Sequence, residues 1–232
     1  MSVAKAWTAL AVVAIAVTLA ACDGGSKAQS GTTTTGAAPT TAQSAETDTA
    51  AGSTTTAVRP LTEAQLKSAL LTVTDLPTGW STTPPRTNKK GVCNHPSVDK
   101  AITPAASTES DFVKGKVVPF FGEQFLAYPD DATAARAFDK FKSNASSCTT
   151  YQEDGVTVDI GQLSVPQLGD RTFGYRQTLS QGGQSVVLDD TVIQRGPLLV
   201  YTGYGDFGAD TEQLATFTKL AYDKAANTLK ID

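Results

Sequence analysis

Large apolar residues fall into three regimes along the chain. From Ala9 to Ala20 they run almost unbroken. From Ser26 to Val58 they all but vanish, with no aromatic residue and Val58 as the one large aliphatic side chain. From Arg59 to Asp232 they return at regular spacing. Pro60-Leu61-Thr62-Glu63 opens a first helix, with Thr62 as N-cap and Gln65 as its capping-box partner. Leu66, Ala69, Leu70 and Val73 form its apolar stripe. Asp75-Leu76-Pro77-Thr78-Gly79-Trp80 then breaks the helix and returns an indole toward it.

A long polar connection follows from Ser81 to about Asp111. Val117–Phe121 and Glu123–Tyr128 are rich in β-branched and aromatic residues and read as strands. Pro129-Asp130-Asp131 caps a second helix from Ala132 to about Ser146, with Ala134, Ala135, Phe138, Phe141 and Ala145 on one face. Four strands are expected next, at Val156–Leu163, Arg171–Leu179, Ser185–Arg195 and Leu198–Gly203. Gln181-Gly182-Gly183-Gln184 and Gly196-Pro197 are tight-turn sequences, so these strands form an antiparallel meander. A last helix starts at Asp210 or Thr211 and runs to about Thr228, with Leu214, Phe217, Ala221 and Ala225 inward. Strands without intervening helices predict an α+β fold, helices packed on one antiparallel β-sheet.

The first apolar run is too short for a spanning helix and ends at Leu19-Ala20-Ala21-Cys22, followed by Asp23-Gly24-Gly25 with no stop-transfer pattern. One positive charge, Lys5, precedes it. Small residues before a Cys at the end of such a segment resemble the lipobox of bacterial lipoproteins. That resemblance implies cleavage after Ala21 and a diacylated Cys22, which makes residues 1–21 a signal peptide and the membrane a partner through lipid on Cys22. Loss of residues 1–21 removes Lys5 and no acid, leaving 18 basic against 23 acidic residues and a net charge of −5. Weak acidity gives no reason to expect binding to nucleic acid or to an anionic lipid surface.

In residues 26–58, 15 of 33 positions are Ser or Thr, too few apolar groups to offset chain entropy. Residues 22–58 therefore read as a lipidated Cys and a disordered tether, with O-glycosylation of the Thr clusters as a further possibility that composition leaves open. Residues 59–232 have the size of one extracytoplasmic domain.

Three cysteines would be odd for an exported chain. With Cys22 lipidated, Cys93 and Cys148 remain as a pair in an oxidising compartment and are expected to form a disulfide. A two-thiol metal or redox site is the rival, but the spacing lacks C-x-x-C geometry and only His95 lies near.

Catalytic chemistry finds little support. His95, the one His, has the type of a general base, yet no G-x-S-x-G turn presents a nucleophile, so it reads as a loop residue beside the disulfide. Asp189 and Asp190 are adjacent in a strand and point to opposite faces, which argues against a shared carboxylate site. Gly203-Tyr204-Gly205-Asp206-Phe207-Gly208-Ala209-Asp210 leads from a strand into a helix N-terminus, a place for an anion. Asp206 and Asp210 oppose that use, and a plain glycine-rich connection is the simpler reading. No phosphate-loop, dinucleotide or zinc motif is present, so no catalytic residue, metal or cofactor is assigned.

Strand alternation puts Arg171, Phe173, Tyr175, Gln177 and Leu179 on one face, and Thr172, Gly174, Arg176 and Thr178 on the other. Leu199 and Tyr201 likewise oppose Leu198, Val200 and Tyr204. One face packs under the helices, and the other mixes Arg, Thr and aromatic groups. Arg176, Arg195, Tyr201 and Tyr204 are the candidates for lining a concave sheet that holds a small polar or amphipathic ligand, with a merely solvated face as the alternative.

Three stretches together resemble the actinobacterial extracellular sensor-domain family that includes the PknH sensor domain and many stand-alone lipoproteins. They are residues 70–80, ending Asp75-Leu76-Pro77-Thr78-Gly79-Trp80; residues 128–138 leading to Cys148; and Asp190-Thr191-Val192-Ile193-Gln194-Arg195-Gly196 before an apolar strand. The resemblance implies an antiparallel sheet flanked by helices, a cleft, an unidentified extracellular ligand and a disulfide at Cys148. Members often carry a second disulfide and a Trp shortly before the helix-end Cys, and this chain has neither. The expectation is a lipid-anchored envelope protein whose non-catalytic, sensor-like domain binds a ligand. A structural or protein-docking lipoprotein, with another envelope protein as partner, is the alternative.

Overall fold

In the computed structural model, which describes residues 60–85 and 91–231, Thr62 caps helix α1 (Glu63–Ala69) with the expected capping box. The Gln65 N–H donates to Thr62 Oγ1, and the Thr62 N–H donates to Gln65 Oε1. Residues 1–21, the lipidation candidate Cys22 and the tether to residue 58 lie outside the described residues. The helix ends a turn earlier than its stripe predicts. Leu71 N–H is captured by Glu123, and Asp75 folds residues 73–75 into a 3-10 turn by accepting from Thr72 N–H, leaving Val73 exposed.

Eight strands make one wholly antiparallel sheet: β1 (Trp80–Thr83), β2 (Ala106–Lys114), β3 (Phe120–Ala127), β4 (Thr150–Glu153), β5 (Val156–Leu163), β6 (Arg171–Gln181), β7 (Gln184–Arg195) and β8 (Leu198–Asp206). Their order is β1-β2-β3-β8-β7-β6-β5-β4, so the last strand closes the sheet at its centre. The α+β fold and the β5–β8 meander agree with the sequence reading. Gly182 and Gly183, both at positive φ, turn β6 into β7, where a side chain would be strained.

The polar connection from Ser81 onward contains β1, the short helix α2 (Val98–Ala101) and β2. Of β2 only Phe112 is buried, so no apolar alternation marks it. The two strands expected at 117–121 and 123–128 are one strand, β3. Gly122 does not break it, because it makes room for Asp111: a Cβ there would sit 2.5 Å from Asp111 Oδ1.

Helices cover both sheet faces, where the sequence suggested one. Leu66, Ala69 and helix α4 (Thr211–Leu229) pack on Phe121, Phe125, Ile193, Leu198 and Val200. Helix α3 (Asp131–Ala145), capped by Asp130, packs with α2 on Leu126, Phe173, Tyr175, Val192 and Leu199. Strand parity allows this because β3, β7 and β8 carry apolar groups at both odd and even positions, as strands buried on two faces do. Trp80 packs edge-on against Phe217 of α4, with ring centroids 5.3 Å apart, rather than on α1.

Candidate functional site

Cys93 and Cys148 are joined, with their Cα atoms 6.0 Å apart. The bond ties the loop at residues 91–97 to the C-terminal end of α3, beside two further contacts. Asn94 donates to the Gln152 carbonyl, and His95 Nε2 lies 2.9 Å from Ser147 Oγ. Ser147 directs its own proton to the Asn144 carbonyl, which makes the imidazole the donor. A general base must instead accept that proton. Among the described residues no carboxylate is bonded to His95.

Next to the disulfide, a cleft of about 270 Å³ opens between the end of α3 and strands β5 and β6. Phe173 and Tyr175 form its base, Lys142 and Ser146 one wall, and Thr149 and Gln162 the other. The base is aromatic because odd positions of β6 face α3, and Phe173 stacks on Tyr175 at 6.0 Å between centroids. Lys142 Nζ stands 6.0 Å from the Phe173 ring and places a cation at the mouth.

Behind Tyr175 lies a fully buried carboxyl group. Asp190 accepts from Tyr201 Oη at 2.5 Å and from Gln177 Nε2 at 2.8 Å. Gln177 in turn accepts from Tyr151 Oη at 3.3 Å, and Tyr175 Oη lies 3.4 Å from Tyr201 Oη. Gly203 leaves the space this carboxyl fills, since a Cβ there would stand 2.7 Å from Asp190 Oδ1. Burial pushes the Asp190 carboxyl up to about 7, against the opposite pull of the Tyr201 and Gln177 hydrogen bonds. The same burial holds the Tyr175 and Tyr201 phenols well above their usual range. The arrangement is a polar, proton-holding floor under an aromatic base.

The four candidate lining residues do not meet. Tyr201 belongs to this network and stacks on Phe141 of α3. Arg176, Arg195 and Tyr204 point to the opposite face. Arg176 makes a two-point ion pair with Asp189, at 2.5 and 2.7 Å, and also donates to Thr211 at the start of α4. Arg195 pairs with Asp170 and donates to the Ile231 carbonyl. Arg195 stands six residues along β7 from Asp189, about 20 Å in extended chain. Tyr204 is buried with Phe217 in the α4 core. Asp189 and Asp190 do diverge, one to each face.

The glycine-rich stretch after Tyr201 is not an anion loop. Gly203 and Gly205 are within β8, and the Phe120 ring lies against Gly205. Asp210 occupies the N-terminus of α4 by accepting from Gln213 N–H at 2.9 Å. Sequence reasoning missed Lys142, Tyr175 and Gln177 as parts of one site. Their one visible signal was that Tyr175 and Gln177 share a strand face.

The described residues thus define an α+β domain with one antiparallel sheet between helices and an open cleft at the disulfide-pinned end of α3. Its fold is similar to the crystal structure of the extracellular domain of PknH from Mycobacterium tuberculosis, with a TM-score of 0.58 and 11% identity over 73% of this chain and 98% of that one. At that identity the likeness is one of fold, and it is the fold the sequence resemblance implied. No family model matches the chain, and no curated protein matches its sequence. Among the described residues no helix is long and apolar enough to cross a membrane.

Proposed function

We propose that this chain is a lipid-anchored envelope protein whose domain, outside the cytoplasmic membrane, binds a small ligand without transforming it. The observation that carries the binding reading is the cleft at the end of α3: an aromatic base, one cation at the mouth and a buried proton-holding floor. Such a concave site with a few placed polar groups is the usual form of a ligand pocket. Its non-catalytic character is supported by the reversed His95–Ser147 contact. Export is supported by the lipobox-like Leu19-Ala20-Ala21-Cys22, by the Cys93–Cys148 bond and by the fold likeness to an extracellular domain. Membership of the actinobacterial sensor-domain family and the lipid on Cys22 are parts of the same proposal.

Native mass spectrometry of the full protein released from membranes tests this reading. The expected mass lacks residues 1–21, carries diacylglycerol on Cys22 and retains an adduct. Ser146→Trp, at an exposed wall position, should remove the adduct and leave the fold intact. A chain with no adduct and no thermal stabilisation by envelope extracts overturns the binding claim, and an unprocessed chain overturns the anchor.

A further inference from the structure

Strand β5 outruns β4, the edge strand beside it. β4 pairs with residues 156–159, and Thr149 extends that line by accepting from Ile160 N–H at 2.8 Å. Before Thr149 the chain belongs to the end of α3. Ser147 N–H donates to the Asn144 carbonyl, and Ser146 N–H to the Lys142 carbonyl. From Gly161 to Leu163, β5 pairs with β6 on its inner side, and no described strand lies along its outer side. In an antiparallel strand the N–H and C=O of alternate residues point the same way. Gln162 therefore aims both groups outward, as Ile160 does, and turns its side chain toward the α3 face.

This open edge is one side of the α3 cleft, which Ile160, Gly161 and Gln162 line. The facing side is the last turn of α3, where Lys142 stands exposed. Among the described residues Lys142 makes no ion pair, and Asp139, about one turn back, is taken by Arg171. Lys67, Lys219 and Lys224 each hold a carboxylate instead. The cleft thus offers a donor and an acceptor on one backbone residue, with a cation opposite. Outward-facing backbone groups in this order are matched by a second extended backbone. At about 270 Å³ the cleft falls below the range of drug-sized pockets, about 300–1,000 Å³. Both its size and its charge suit the end of a chain.

Resting on the reading of this cleft as a ligand site, we infer that its ligand is the carboxyl end of a short extended peptide, added along the open edge of β5. The terminal residue donates its N–H to the Gln162 carbonyl. Its carboxylate accepts from Gln162 N–H and faces Lys142. Cross-strand partners share a sheet face, so its side chain lies on the α3 side, against Ala145 and Phe173. An apolar side chain suits that place. The sheet itself need not move, because the edge groups already point outward.

The test titrates N-acetyl-Ala-Leu into the full protein while NMR follows the Gln162 amide and the Ile160 and Ala145 methyls. All three should shift to saturation, and the Gln162 amide should exchange its hydrogen more slowly. The C-terminal amide of the same peptide should bind about 2- to 5-fold more weakly, the worth of one exposed ion pair. Lys142→Met should abolish that difference. A peptide N-methylated at its Leu should lose about 2- to 10-fold, the worth of one hydrogen bond, with the protein unaltered. Gln162→Pro removes only an edge N–H and should weaken the unmodified peptide to a similar extent. Equal binding of acid and amide, undiminished binding of the N-methyl peptide, or no saturable shift would each overturn the peptide assignment. Ser146→Trp separates that failure from failure of the cleft. If no peptide binds but the native protein keeps an adduct that Ser146→Trp removes, the ligand is of another class; if there is neither, the cleft reading falls as well.

Discussion

Two carboxyl groups inside this sheet hold their protons unusually tightly. Asp190 stands at about 7 and Glu123 at about 8, each raised chiefly by burial. For Glu123 the Leu71 N–H donating at 2.5 Å pulls the other way and does not win. An ordinary unfolded Asp or Glu titrates near 4. The folded form therefore binds these protons better than the unfolded form. Their contribution to stability is complete below about pH 4 and is lost as pH rises through about 7 for Asp190 and about 8 for Glu123. Urea midpoints between pH 4 and 9 should show a smaller fall for Asp190→Asn and Glu123→Gln than for the parent. Identical pH slopes would mean that neither group is protonated in the fold. Asp190 was visible in the sequence as one of an adjacent acidic pair, and alternation separated the two correctly. Its role was not visible, because alternation says that neighbours diverge and not which face is dry.

At the scale of elements, legibility followed burial. β5 was read at its bounds, and β6, β7 and β8 to within a few residues, since their alternation persists and their turns carry Gly or Pro. β1, β2 and β4 were lost in polar sequence, because outer strands are held by backbone pairing more than by side chains. α3 and α4 were legible for their caps and stripes, but nothing in a stripe says which face of a sheet it will choose. That choice decided where the cleft lies and separated Tyr201 from the other three candidates. The cleft also depends on the disulfide, which fastens a loop of little regular structure to the end of α3. In the chain-entropy model a cross-link spanning 55 residues contributes about 4 kcal/mol at most. Cys93→Ser with Cys148→Ser should lower unfolding stability by up to that amount and weaken whatever the cleft binds. A double variant with parental stability and binding would show the bond to be incidental to both.

For the molecule as a whole, the governing feature is the place of β8. It joins β1-β2-β3 to β7-β6-β5-β4, and no other strand links the two sets. A chain ending at Pro197 would leave the inner edges of β3 and β7 open, with Phe121, Phe125 and Ile193 stripped of α4 as well. Such a truncation is expected to sediment as aggregate and to lack a cooperative urea transition. A soluble, cooperatively folding fragment would show the two strand sets to be independent.

A polypeptide is delivered to its surroundings from the N-terminus onward, whereas this sheet can be completed only from near its C-terminus. Two half-built, mutually attractive edges must therefore coexist until residues 198–206 have emerged. The keystone arrives last. During that interval the greatest hazard is another copy of the same chain offering its own β3 or β7, so the rate of delivery and the crowding of siblings, more than final stability, govern how much of this protein reaches its finished form.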